Sequence, residues 1–240
     1  MTIFGFATLG VLALYLALFF LASSWAARAA GRPVWLFGRA TGRDRLAAVG
    51  FRLAFTLAFV GPLLQTAIPA LSKADPLWLG PGVPLWSLPG HLLAILGAML
   101  AWAGQVGMGA SWRVGVAEDA LGELITEGLF RVSRNPVFTG QLLLLTGVAL
   151  SVPSVLTWVA VLLFWLSARG QITSEERLLE TRFGAAYQAY RARVPRWISP
   201  WPAGSEAIAC RHMAARREGA LAATKCSSKA RGLTAWPHPE

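Results

Sequence analysis

Residues 136–168 read PVFTGQLLLLTGVALSVPSVLTWVAVLLFWLSA. Two apolar stretches, Pro136–Leu150 and Ser154–Ala168, stand on either side of Val152-Pro153. Each lies near the lower length limit for a membrane-crossing helix, which needs about 20 apolar residues. Together they predict a tight helical hairpin; a re-entrant pair that stops short of the far side is the alternative. The choice sets the parity of the whole chain, and parity decides the fold.

Towards the N-terminus lie three longer apolar stretches, from about Ile3 to Ala27, Leu46 to Leu71 and Gly90 to Met108. No basic residue precedes the first stretch, whereas a secretory leader has a basic front and a shorter apolar core. A retained helix is expected there. The second contains Arg52 close to its start. A charge costs roughly 2.5–3.5 kcal/mol at a helix centre and less near an end, so Arg52 is expected to snorkel towards the adjoining basic loop. Pro62 is expected to kink this helix. His91, at the start of the third stretch, is read as interfacial, and Trp78 and Trp86 suit an interfacial belt.

Five crossings place the loop Arg28–Arg45, with five Arg and one acid, on the same side as Ser111–Asn135 and the C-terminal segment. From Arg169 onward the chain carries twelve basic and six acidic residues. The charge-poor loop Ser72–Pro89 falls on the other side. Basic loops mark the cytoplasmic face, so the N-terminus is expected outside and the C-terminus inside. Four crossings would put the basic C-terminal segment on the wrong side.

Composition agrees. Of 240 residues, 55% are hydrophobic and 14% charged, with eleven Trp and twelve Phe. Soluble domains carry roughly 25% charged residues, and disordered, collagenous and disulfide-rich chains differ further. The net charge of +10 sits beside apolar stretches, and no zinc-finger or RNA-binding aromatic motif is present, so nucleic acid is not an expected partner. Cys210 and Cys226 lack metal-ligand spacing, and no metal site is expected. The last four residues are not a prenylation box.

After Arg169, Leu179, Phe183, Tyr187, Tyr190 and Val194 step by three or four, which predicts one amphipathic helix lying on or against the membrane domain at the cytoplasmic side. The expected architecture is therefore all-α: an integral membrane protein with about five transmembrane helices, including the C-terminal hairpin. Residues 1–200 form the membrane domain, with a motif core over 104–200. Residues 201–240 are a basic tail without periodicity, expected to be disordered.

Polar residues concentrate in two places. The first is Gly128-Leu-Phe-Arg-Val-Ser-Arg-Asn-Pro-Val-Phe-Thr-Gly140. Asn135 is a good N-cap and Pro136 a good first helical residue. Such a helix end also attracts carboxylate or phosphate. The second is Thr173-Ser-Glu-Glu-Arg-Leu-Leu-Glu-Thr-Arg-Phe-Gly184, where Thr173 and Glu176 fit a capping box. The Glu175-Glu176 pair could instead bind a cation or ligand hydroxyls and amines.

In order and spacing, Arg134-Asn135-Pro136-x-Phe138-x-Gly140, the hairpin, and Glu175-Glu176-x-x-Leu179-x-x-x-Phe183-Gly184-x-x-Tyr187-x-x-Tyr190-x-x-x-Val194-Pro195 resemble the isoprenylcysteine carboxyl methyltransferase family. That family belongs to a wider group that includes phospholipid methyltransferases. The resemblance covers roughly Gly104 to Pro200, and its tone is that of a bacterial-type member. It implies a membrane enzyme of the bacterial inner or plasma membrane that uses S-adenosylmethionine, bound at the cytoplasmic side beneath the two motifs and the C-terminal helix. A lipophilic acceptor would enter from the bilayer, among membrane lipids. Carried over by position, Leu124, Ile125, Phe130, Asn135, Pro136, Phe138 and Glu175 contact the cofactor. Phe130 and Phe138 stand where Tyr is common, and Asn135 where His is common. Arg134 and Glu176 are the candidates for orienting the acceptor.

One departure bears on the acceptor. Where the eukaryotic enzymes have a substrate-facing Arg four residues before the cofactor-binding Glu, this chain has Gln171. A neutral amide cannot neutralise a carboxylate. Gln171 is thus expected to contact an acceptor that is neutral, amine-like or a thiol at its reacting end; Arg113 or Arg134 would have to supply the charge for a carboxylate. The rival enzyme class is a sterol or lipid double-bond reductase using NADPH, and the non-enzymatic rival is a small membrane transporter or scaffold.

Overall fold

The structure is a computed structural model that describes residues 1–78, 85–115 and 122–198. The basic tail, both cysteines and part of the loop Ser72–Pro89 lie outside these residues. The described chain is helical: α1 (Ile3–Ala30), α2 (Gly42–Ala67), α3 (Pro69–Ala74), α4 (Ser87–Met108), α5 (Pro136–Ser151), α6 (Val155–Phe183) and α7 (Ala185–Arg193), with short 3-10 turns between them. Four helices are long and apolar enough to cross a membrane: α1, α2, α4 with its following turn, and α6.

Helix α5 has 16 residues, about 24 Å at 1.5 Å per residue. It packs along α4 from Ser87 to Gly104. A Cβ on Gly97 would lie 2.3 Å from the Leu144 amide nitrogen, one on Gly140 2.3 Å from that of Ala101, and one on Gly147 2.4 Å from that of Ala94. Only glycine permits this backbone contact, which is how apolar helices associate where lipid offers no hydrophobic drive. At its end Ser151 Oγ donates to the carbonyl of Ser87, the first residue of α4. The hairpin therefore reaches the far end of α4.

The second arm of the hairpin differs from the sequence expectation. Helix α6 continues through Arg169 and Thr173 for 29 residues. Thr173 caps nothing; its Oγ1 donates to the Arg169 carbonyl within the helix. The capping box sits at the other end, between Ser154 and Thr157, and Asp75 Oδ2 accepts from the Val155 amide across 80 residues of sequence. The predicted amphipathic helix is divided at Gly184, whose φ of +49° an L side chain would resist. Its apolar face survives the break, because Leu179 and Phe183 pack with Tyr187, Tyr190, Val194 and Leu124. Helix α2 also stops earlier than Leu71. Ile68 leaves the helical region ahead of Pro69, as residues before proline do.

The arginine-bearing segments gather at one end of the bundle. Val114 bridges to the 34–36 segment (Val114 N to Val34 O 2.7 Å, Leu36 N to Val114 O 2.8 Å), and Arg134 N donates to Pro195 O at 2.9 Å. Arg52 turns to this end, its guanidinium 5.7 Å from the Phe37 ring. His91, near the start of α4, hydrogen-bonds Thr8 of α1 at 2.9 Å.

Candidate functional site

At the arginine end, two cavities meet. The first lies where α5 begins beside the second half of α6, under α7. Its walls include all seven residues expected to contact a cofactor: Leu124, Ile125, Phe130, Asn135, Pro136, Phe138 and Glu175. Arg134 and Glu176 line it as well. Pro136 starts α5 as expected, but Asn135 does not cap it with its side chain. Asn135 Nδ2 instead donates to the Arg196 carbonyl at 3.0 Å, and Ser133 Oγ donates to the same oxygen. The first-turn amides of α5 thus lack a side-chain cap at a helix end that favours negative charge.

The C-terminal segment is laced over this cavity. Glu176 forms an ion pair with Arg134 Nη2 at 3.1 Å and accepts from Arg196 Nε at 3.1 Å, and Arg196 Nη2 meets its other oxygen. Arg134 also donates to the Tyr187 hydroxyl at 3.3 Å, and Tyr190 donates to the Phe130 carbonyl at 2.8 Å. Burial pushes the phenols of Tyr187 and Tyr190 above their ordinary pKa, with Arg134 pulling back in part. Both therefore remain neutral at physiological pH. Arg134 and Glu176 were expected to orient an acceptor; the structure pairs them with each other and with Arg196. Arg196 carries no sequence signal for this role, because nothing local links it to Glu176.

The second cavity, of about 360 Å³, lies between α1 and α2, which barely touch. Aromatic side chains dominate its walls, among them Tyr15, Phe19, Phe51 and Phe55 from the helices and Trp35 from the loop. Phe20 and Arg52, both exposed, mark its outer rim. Its polar members are few: Gln141, which donates to the Tyr15 hydroxyl at 2.7 Å, Thr56, Gln171 and two arginines. Gln171 lines this cavity and not the first, yet donates from Nε2 to Glu175 Oε1 at 2.9 Å. Trp112, Arg113 and Phe138 line both cavities. No aromatic residue of the α1 and α2 wall stands out in the sequence, since an aromatic residue in an apolar span carries no mark of which way it faces.

Four helices able to cross a membrane, with adjoining polar and apolar cavities at one end, have the character of an integral membrane protein. Residues 86–186 match the model of the family described as phospholipid methyltransferase, which supports the wider group that the sequence resembles. The match implies a methyltransferase. No curated protein matches the chain. The matched segment begins ahead of α4 and stops at Ala186, so it covers every expected cofactor residue and leaves out α1, α2 and the tyrosines of α7.

Proposed function

We propose that this chain is an S-adenosylmethionine-dependent methyltransferase acting on a lipophilic acceptor, similar to the isoprenylcysteine carboxyl methyltransferases. The observation that carries this reading is the shared wall of Trp112, Arg113 and Phe138 between a cavity built by the two motifs and an aromatic one between α1 and α2.

The side chains of the first cavity suit the cofactor, and its free volume of about 90 Å³ would have to widen to admit the whole molecule. Phe130, Leu179, Tyr187 and Tyr190 offer flat and apolar surface to adenine, and Glu175 offers a carboxylate with no ion-pair partner among the described residues. When bound, S-adenosylmethionine would supply an electrophilic methyl carbon whose sulfonium leaving group needs no acid. The protein's own part is placement. Aromatic walls exclude water from the acceptor, and orientation alone contributes ~7–11 kcal/mol to lowering such barriers. Glu175, as a carboxylate, accepts, so the Gln171 amide turns its nitrogen to it and leaves Oε1 buried without a partner. That oxygen suits an N–H, S–H or O–H at the reacting end of the acceptor. Arg134, Glu176 and Arg196 act as positioning residues that hold the C-terminal segment over the cavity.

In the bilayer we assign five crossings, with α5 as the fourth, the arginine end in the cytoplasm of a bacterial-type cell, and residues 1–200 as the working unit. The tail past residue 200 is dispensable on this reading, so a chain ending at Ala203 keeps turnover. Membranes containing the protein, incubated with methyl-labelled S-adenosylmethionine, are expected to yield a labelled product in the organic extract. Label confined to water-soluble products or absent altogether would refute the reading.

A further inference from the structure

Among the described residues, Arg113 is a buried guanidinium without an adequate partner. It is 8% exposed, and among the described residues its Nε has no hydrogen-bond partner and its one hydrogen bond runs from Nη1 to the Ser111 carbonyl at 3.4 Å. It makes no ion pair among the described residues, although it lines both cavities. Its backbone is fixed on both sides: Trp112 Nε1 donates to Ser23 Oγ at 3.0 Å, and Val114 is bridged to Val34 and Leu36. A buried cation held in place with its donors open is costly unless an anion completes it. Glu175, in the same cavity wall, is the complement. Among the described residues its carboxylate receives only the neutral amide of Gln171 and makes no ion pair with Arg113. Arg113 and Glu175 face one cavity without a direct ion pair between them, and so match a ligand that carries both charges.

We propose that Arg113 and Glu175 form a zwitterion site for the amino-acid end of the sulfonium cofactor, with the α-carboxylate on Arg113 and the α-ammonium on Glu175. This rests on the cofactor reading above. It puts the amino-acid end at the junction of the cavities, beside the wall that both share. The same guanidinium could instead receive an anionic group of the acceptor, because Arg113 also lines the aromatic cavity.

Calorimetry on the full chain in lipid nanodiscs separates these. Wild type is expected to bind S-adenosylhomocysteine about ten- to a hundredfold more tightly than its decarboxylated analogue, the range set by a charge-assisted hydrogen bond. Arg113→Gln is expected to lose that preference, and Arg113→Lys to keep part of it. Equal binding of the two compounds by wild type, or a preference that survives in Arg113→Gln, would overturn the proposal while leaving the cofactor reading intact. Binding of neither compound by wild type would overturn both. A parallel arm compares palmitate with hexadecanol. If wild type prefers palmitate, Arg113→Gln abolishes that preference, and the cofactor pair is not discriminated, Arg113 serves the acceptor and the proposal fails. If Arg113→Gln does not fold, the wild-type comparison and the lysine variant still decide.

Discussion

Gln171 and Glu175, one turn apart on α6, share a 2.9 Å hydrogen bond yet open onto different cavities. Side chains four residues apart on a helix lie on the same face, and here that face is the partition between the two chambers. The bond fixes which end of the Gln171 amide each chamber meets.

Glu175→Gln is expected to weaken binding of S-adenosylhomocysteine at least tenfold while the melting temperature stays within a few degrees. The amide keeps a hydrogen bond to Gln171 but has no charge to offer. Unchanged affinity by calorimetry would reduce Glu175 to an anchor for its neighbour.

Glu176→Gln should behave differently. Its side chain is 11% exposed and sits between two guanidinium groups. Removing one member of a buried ion cluster typically costs about 3–5 kcal/mol. The expected signs are a clear fall in thermal stability and faster hydrogen exchange over residues 194–198. Asn135→Ala, which deletes one bond to the Arg196 carbonyl, should do the same on a smaller scale, near 1 kcal/mol. If Glu176→Gln leaves exchange unchanged, the segment is held by something else.

At position 171 the acceptor is the readout. Wild type is expected to methylate neutral lipophilic thiols or amines in preference to a prenylcysteine carboxylate, and Gln171→Arg to shift kcat/KM towards the carboxylate. Efficient carboxylate methylation by wild type, with no gain in the arginine variant, would defeat this assignment.

Topology can be read with single cysteines at Ser72 and Glu206 in a chain carrying Cys210→Ser and Cys226→Ser. An impermeant thiol reagent applied to intact cells should label Ser72→Cys alone. Labelling of both positions from one face contradicts five crossings.

Much of the path was legible from hydropathy. The positions of α1, α4 and the α5 start follow from apolar runs and from Pro136, because a span is set by the local solvent it must face. Parity then brought the arginine segments to one end, which the Val114 bridge and the Arg134–Pro195 bond bear out. The capping box at Thr173 was misread. A Thr-x-x-Glu pattern is a helix start only if the chain before it is not already helical, and α6 arrives there with its amides paired.

By itself, then, the sequence determined the helices, their apolar character and the two polar segments, because periodicity and capping chemistry act over a few residues. The tertiary structure decided everything that depends on residues far apart in the chain. It pairs Glu176 with Arg196, ties Asp75 to the start of α6, and leaves between α1 and α2 a gap walled by aromatic rings. No local signal encodes these relationships. Each arises where separate helices meet, and the close glycine packing of α4 on α5 is one of the contacts that set where they meet.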